Sequence, residues 1–198
     1  MDENRSGGKA RQGRLFVLVG PSGVGKGTLR TRALSDVEGL TYSVSCTTRQ
    51  PREGERDGVD YRFVSERDFE DKVSGGLFLE HAVVHGCRYG TLLEDVKRET
   101  GAGRDVLLEI DVQGAMQVRE ILPESVLLFV APPSLDVLER RLRQRRTESE
   151  DKIALRLENA KKEMALSSGF DRVIVNDDLD RAGRELRDIL LSYRKNIG

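Results

Sequence analysis

Leu15-Phe-Val-Leu-Val-Gly-Pro-Ser-Gly-Val-Gly-Lys-Gly-Thr28 is the stretch on which the fold turns. Five consecutive apolar residues suit a strand covered on both faces, the situation of a parallel sheet flanked by helices. The spacing G-x-x-x-x-G-K from Gly20 to Lys26 then predicts a phosphate-binding loop running into a helix that begins near Gly25. Glycines let the backbone wrap closely round an anion, and successive N–H groups point inward at its oxygens. The helix adds its positive end, and Lys26 adds a mobile charge for the outer phosphates. Gly20, Pro21, Ser22, Gly23, Val24, Gly25, Lys26, Gly27 and Thr28 are therefore the candidate cradle for a nucleoside triphosphate. The pattern departs from its usual form after the lysine. A Ser or Thr hydroxyl ordinarily follows and helps to hold magnesium; here Gly27 stands there, with Thr28 one place later.

Outward from this loop, apolar runs alternate with helical patterns, which predicts an α/β fold built on a parallel sheet. Strands are expected at 15–19, 41–44, 105–110, 125–130 and 172–175, and helices from the loop to about Leu34 and at 113–120, 135–145, 150–166 and 179–193. Pro132-Pro133-Ser134 stops one element and opens the next, with Ser134 as N-cap. Residues 46–91 break the alternation: short strand-like pieces at 61–64 and 78–84 surround a small helix opened by Ser65 with Asp68 three places on. That stretch reads as a small lobe inserted in the main domain.

Composition sets bounds on partners. The 198 residues are enough for one domain with a substantial core. With 34% charged residues but a net charge of only −1, the chain is not the basic surface a general nucleic-acid binder needs. No apolar run is long enough to span a membrane, and residues 1–13 are polar and of mixed charge, a flexible tail rather than a signal or transit segment. Cys46 and Cys87 have no metal-type spacing and are expected as reduced thiols; His81 and His85 have no accompanying ligand pattern. The expected setting is the cytoplasm, and nothing in the pattern demands more than a monomer.

Arginine outnumbers lysine, and its positions point to phosphate. Arg49 and Arg52 bracket the rigid Pro51, where they are placed to clamp a second phosphate, with Tyr61 and Tyr89 as hydroxyl donors to it. The ordered set T-T-R-x-P-R-x-G-E-x-D-G-x-D-Y (47–61), Leu-Phe-Leu-Glu80, Y-G-T (89–91), E-I-D-x-Q-G (109–114), F-V-A-P-P-S (129–134) and V-I-V-N-D-D-L (173–179) resembles the guanylate kinase family over about residues 14–194.

The resemblance implies a P-loop NTPase-type parallel β-sheet flanked by helices, with an inserted small α+β GMP-binding lobe and a helical lid. In this chain the core would be 14–43, 92–143 and 169–198, the lobe 44–91 and the lid 144–168. It implies transfer of the γ-phosphoryl group of ATP to GMP, and to dGMP, in purine nucleotide metabolism, with Mg²⁺ accompanying ATP. Glu80 and Asp111 match carboxylates near the guanine, Ser45 and Thr91 match hydroxyl contacts to the base, and Arg49, Arg52, Tyr61 and Tyr89 match the holders of the GMP phosphate. Arg145 and Arg156 match two lid arginines that approach the transferring group, so Lys26, Arg49, Arg145 and Arg156 are the expected catalytic cations. The family has glycine after the first lid arginine; Arg146 takes that place here. Asn176 lies in a stretch like the family's adenine-side loop. Thr28 and Glu109 are the expected metal contacts, largely through water. Arg140, Arg141 and Arg143 read as a solvated helix face.

Three other readings compete: a nucleoside-monophosphate kinase of different base preference, a non-catalytic phosphopeptide-binding module built on the same fold, and a nucleoside triphosphatase without an acceptor. The intact Gly20, Gly25 and Lys26 speak against the module, and residues 46–91 are superfluous to a triphosphatase.

Overall fold

A computed structural model describes residues 11–84, 86–144 and 149–195. The central sheet has five parallel strands, β1 (Leu15–Val19), β2 (Leu40–Tyr42), β7 (Asp105–Glu109), β8 (Val126–Ala131) and β9 (Arg172–Val175), in the spatial order β2-β7-β1-β8-β9. β1 lies in the middle, paired in parallel with β7 (Leu18 beside Glu109) and with β8 (Val19 beside Phe129). All five of its residues are buried. Because side chains alternate across a strand, Phe16 and Leu18 enter one core and Leu15, Val17 and Val19 the other.

Helices cover both faces. α1 (Lys26–Asp36) and α7 (Leu179–Lys195) pack on the Phe16 and Leu18 face, where Leu29, Ala33, Ala182, Leu186 and Leu190 are buried. α3 (Leu93–Gly101) and α4 (Val112–Ile121) close the opposite face through Val96, Val112, Ala115 and Val118. α5 (Leu135–Gln144) and α6 (Glu150–Ala165) form a pair with its own cluster of Leu138, Leu142, Ile153 and Ala160. The expected strands 15–19 and 172–175 coincide with β1 and β9, and the ends of the other core strands lie within two residues of expectation.

A second sheet of four strands occupies the segment that broke the alternation. Its order is β4 (Arg62–Phe63), β3 (Cys46–Thr47), β6 (Cys87–Leu92) and β5 (Phe78–Val84). α2 (Glu66–Ser74) packs on it, with Phe69 stacked on Phe78 at 4.5 Å between ring centroids. Ser65 caps α2 as its spacing predicts: its Oγ accepts from the Asp68 N–H. Ser134 Oγ likewise accepts from Val137 N–H at the start of α5.

Of the expected flexible tail 1–13, residues 1–10 lie outside the described residues, and residues 11–13 are tied to the domain. Arg11 donates to both carboxylate oxygens of Asp105, at 2.6 and 2.8 Å, and Gly13 N–H donates to Thr100 O. Asp105, whose side chain is 1% exposed, also accepts from Arg14 N–H and Arg194 Nε, tying the chain's start to β7 and the end of α7. Burial alone would raise the Asp105 carboxyl, but Arg11, the Arg14 N–H and Arg194 outweigh it and hold the group below its ordinary value.

Candidate active site

The carboxyl ends of β1 and β7 lie side by side, and in an open parallel sheet that edge is where ligands bind. β1 delivers the glycine-rich loop and β7 delivers Glu109, Ile110 and Asp111. The loop is held by its own geometry and by neighbours behind it. At Gly20 (φ 146°) a Cβ would lie 2.2 Å from Val130 O, and at Gly25 (φ 101°) it would lie 2.6 Å from Asn176 Nδ2. Neither position admits a side chain. Gly25 is the N-cap of α1, whose first turn has no acidic residue, so the helix's positive end is left for an anion. Lys26 Nζ curls back to donate to Gly20 O at 2.6 Å and Pro21 O at 3.3 Å.

Asn176 is 4% exposed and donates from Nδ2 to Val24 O at 2.7 Å. Arg141, expected on a solvated face, instead reaches from α5 to donate to Asn176 O at 2.9 Å and Val24 O at 3.5 Å. The burial pattern of α5 explains the difference: Leu138 and Leu142 turn this helix onto the core, and Arg141 between them points at the loop. Arg143 does remain outside, paired with Glu139 and Glu150. Arg156 of α6 donates to Ser22 Oγ at 2.5 Å, so the second expected lid arginine touches the loop. Arg145 and Arg146 lie outside the described residues.

Across the cleft, the small sheet supplies a buried polar cluster. Glu80 on β5 is 4% exposed, and its Oε1 accepts from Thr91 Oγ1 on β6 at 2.6 Å; Ser45 Oγ lies 3.3 Å from the same hydroxyl. Asp111 caps α4, its Oδ1 accepting from Gly114 N–H at 2.8 Å. A Cβ on Gly114 would come within 2.7 Å of Glu80 Oε2, so the glycine of E-I-D-x-Q-G makes room for that carboxylate. Burial pushes the Glu80 carboxyl up to about 7; Thr91 opposes the shift and the nearby Asp111 charge adds to it.

Arg49 sits further along the lobe. Its Nε donates to Tyr89 OH at 3.2 Å, and its two terminal nitrogens grip Glu55 at 2.9 and 3.0 Å. Tyr61 packs against Arg49 and Tyr89, its ring 5.4 Å from the Arg49 guanidinium carbon and 5.8 Å from the Tyr89 ring. Arg49, together with the Arg52 N–H, holds the Glu55 carboxyl below its ordinary value. Arg52 is exposed. The structure thus brings together two groups of expected residues: the loop with Arg156 and Asn176, and Ser45, Thr91, Glu80 and Asp111 with Arg49, Tyr61 and Tyr89.

The family model for guanylate kinase matches residues 12–193. The guanylate kinase of Neisseria meningitidis serogroup A is 51% identical over 184 residues, covering 93% of this chain and 90% of that protein. The chain belongs to the guanylate kinase family. The guanylate kinase of Thermus thermophilus is 50% identical over 190 residues, covering 96% of this chain and 85% of the relative. The crystal structure of guanylate kinase from Anaplasma phagocytophilum superposes with a TM-score of 0.77 at 33% identity, covering 94% of this chain and 89% of that one.

For a guanylate kinase, three side chains at this cleft were given no role from the sequence, Arg30, Glu55 and Glu163, and a fourth, Arg141, was read as solvated. Glu163 of α6 is partly buried; burial raises its carboxyl, Lys26 opposes this and Asp111 adds to it, so α6 brings an acid between the two halves. Arg141 has no spacing signal of its own, since Val24 O is 117 residues away in sequence, whereas Glu55 stands inside the T-T-R-x-P-R-x-G-E pattern close to its partners Arg49 and Arg52. Arg30 lies one helical turn beyond Lys26, at i+4, and that spacing places both on one face of α1.

Proposed function

We propose that the chain transfers the γ-phosphoryl group of ATP to GMP or dGMP, with the glycine-rich loop holding ATP and the small sheet holding the acceptor. The observation that carries the acceptor assignment is Glu80, a carboxylate 4% exposed whose Oε1 has a hydroxyl partner while Oε2 faces the Gly114 side of the cleft. Guanine offers N1–H and an exocyclic amine as adjacent donors; adenine offers no such pair and would leave the carboxylate buried and unmatched. Ser45 and Thr91 supply hydroxyls to the base, and Asp111 supplies a second carboxylate. Arg49, Arg52, Tyr61 and Tyr89 surround the position of the acceptor phosphate.

The acceptor phosphate is largely ionised near neutral pH, so the reaction needs no strong general base. The residues act by holding two phosphates in line and by placing positive charge round the moving group. Lys26 leaves its loop carbonyls for the outer phosphates of ATP. Arg156, already on Ser22 at the loop, bears on the transferring group from the lid, and Arg145 is assigned the same task. Arg49 holds the acceptor side. Closure of the lobe and lid excludes water, which would otherwise compete as acceptor.

Mg²⁺ is proposed to accompany ATP, and the residues fit it in one manner. Among the described residues there is no group of three or more His, Cys, Asp or Glu able to cage a metal. Glu109 Oε2 is buried without an aligned hydrogen bond among the described residues, and it lies 3.9 Å from where a Gly27 Cβ would stand. One carboxylate oxygen beside the loop, met by Arg30 as an ion pair but by no aligned hydrogen bond, suits an ion that keeps its waters and binds chiefly to phosphates. Glu109 is the residue to hold it, with Thr28 reached through water; the ion would neutralise phosphate charge.

Among the described residues no helix is long and apolar enough to cross a membrane. A coupled assay of ADP formation with ATP against GMP, dGMP, AMP, CMP and UMP tests the proposal. Activity with GMP and dGMP well above the other three is expected. ATP consumption without an acceptor, or equal use of AMP, would overturn it.

A further inference from the structure

Glu109, the carboxylate assigned to the metal, already has a cation beside it. Arg30 Nη1 lies 3.1 Å from Glu109 Oε2, with the two side chains 31% and 21% exposed. The guanidinium is fixed from the other side: its carbon stands 4.5 Å from the centre of the Tyr42 ring at the end of β2. Burial pushes the Tyr42 hydroxyl up to about 12 even with Arg30 beside it, so Tyr42 presents a neutral, rigid face and not a competing charge. Arg30 also lines a groove of about 490 Å³ shared with Tyr42, Glu55 and Tyr61, which puts it between the loop side and the acceptor-phosphate side of the cleft.

Gly27 gives this pair its consequence. With no hydroxyl directly after Lys26, the protein's direct hold on a metal falls to Glu109, and Glu109 Oε2 is the nearest atom to the space that a side chain at 27 would enter. We propose that Arg30 is a positioning residue that competes with the divalent ion for Glu109 and so sets how strongly metal and nucleotide binding are coupled. The ion pair keeps a partly buried carboxylate neutralised and aimed at the loop before the nucleotide arrives. Once metal and phosphates are present, part of Glu109's charge remains committed to Arg30, and the coupling is weaker than a free carboxylate would give. This rests on the loop being the ATP site.

The test uses ADP binding and not turnover. Calorimetry of the whole chain with ADP, once in EDTA and once in excess Mg²⁺, gives two dissociation constants whose ratio is the metal–nucleotide coupling. Any general loss of positive charge near the phosphates affects both constants and divides out. Arg30→Leu should raise the ratio about threefold to fivefold, the size of one partly exposed ion pair. Arg30→Lys should keep the wild-type ratio, and the gain should vanish in Arg30→Leu/Glu109→Gln. An unchanged ratio in Arg30→Leu, or a gain that survives in the double variant, overturns the role of Arg30. Failure of the wild type to bind ADP under either condition would overturn the loop assignment itself. Because Arg30 is partly exposed on α1 and leucine is a good helix former, the variant should fold, with its thermal transition as the check.

Discussion

Guanine recognition by Glu80 should carry a pH signature. Only the ionised carboxylate accepts from both N1–H and the exocyclic amine of the base, yet burial in the free protein pushes Glu80 up to about 7. GMP binding must then expel a proton over the lower part of the neutral range. For a group of that pKa, the apparent dissociation constant exceeds its limiting value by a factor of about 11 at pH 6 and about 1.1 at pH 8, so affinity should rise about tenfold across the interval. The phosphate of GMP titrates near pH 6 as well and adds its own slope. Glu80→Gln separates the two, because it keeps the phosphate contribution and removes the carboxylate one. Calorimetric GMP titrations between pH 6 and 8, in buffers of different ionisation enthalpy, read both the affinity and the protons released. The glutamine variant should bind about tenfold to a hundredfold more weakly at pH 8, the range for a hydrogen bond to a charged group. A wild-type slope no steeper than that of Glu80→Gln would refute the reasoning. Stability carries the same sign check: a carboxyl raised from 4.5 to about 7 stabilises the fold below the unfolded value and loses that contribution as pH climbs through 7. Glu80→Gln should therefore be the more stable protein at pH 8, by up to about 3 kcal/mol, although it binds GMP less well.

Asn176→Ala removes the buried donor to Val24 O and should lower stability by about 1–3 kcal/mol while raising the KM for ATP more than that for GMP, measured by thermal melting and initial rates. Asp105→Asn leaves Arg11 and Arg194 facing a neutral group and should cost about 3 kcal/mol in denaturant titration at neutral pH. Because the folded Asp105 carboxyl is depressed, its contribution is present above the ordinary carboxylate pKa and fades as pH falls through the lower folded value, so the gap between the two proteins should close in acid. Gly27→Ser has room for its Cβ, 3.9 Å from the nearest atom, and should stabilise α1 by about 0.5 kcal/mol in thermal melting with ADP binding retained.

The parallel sheet was legible because β1 and β8 are buried on both faces, which leaves unbroken apolar runs in the sequence. The loop and the capping serines were legible because each acts within a few residues of itself. What escaped was non-local or compositionally quiet. α3 begins inside Leu92-Leu93-Glu94-Asp95, where strand and helix patterns overlap, and its start rests on packing against β7 and β5. β3 is two residues long and pairs with both β4 and β6, so no periodicity could reveal it. Asp111 was read for its carboxylate alone, yet the same group caps α4. Arg141 was assigned to solvent because charged residues on a helix usually face it, and the loop carbonyl that it meets, Val24 O, is more than a hundred residues away.

A common device links the site residues to those the sequence did not disclose. The cleft's cations have partners before any nucleotide arrives: Lys26 on loop carbonyls, Arg49 on Glu55, Arg30 on Glu109 and Arg156 on Ser22. A cluster of four cations without such partners would repel itself. Carbonyls and carboxylates hold these groups in place at moderate strength, and an incoming phosphate replaces them with two or three negatively charged oxygens, a stronger partner than a single carboxylate or a neutral carbonyl. On the proposed assignment, substrate binding would be an exchange of anions about cations whose side chains already have partners, which would lower the entropy lost on assembling the transfer site. The proposed assignment keeps specificity and charge apart in space: Glu80, buried against Thr91 and Ser45, would read the base, while the exchangeable pairs would lie toward the phosphates.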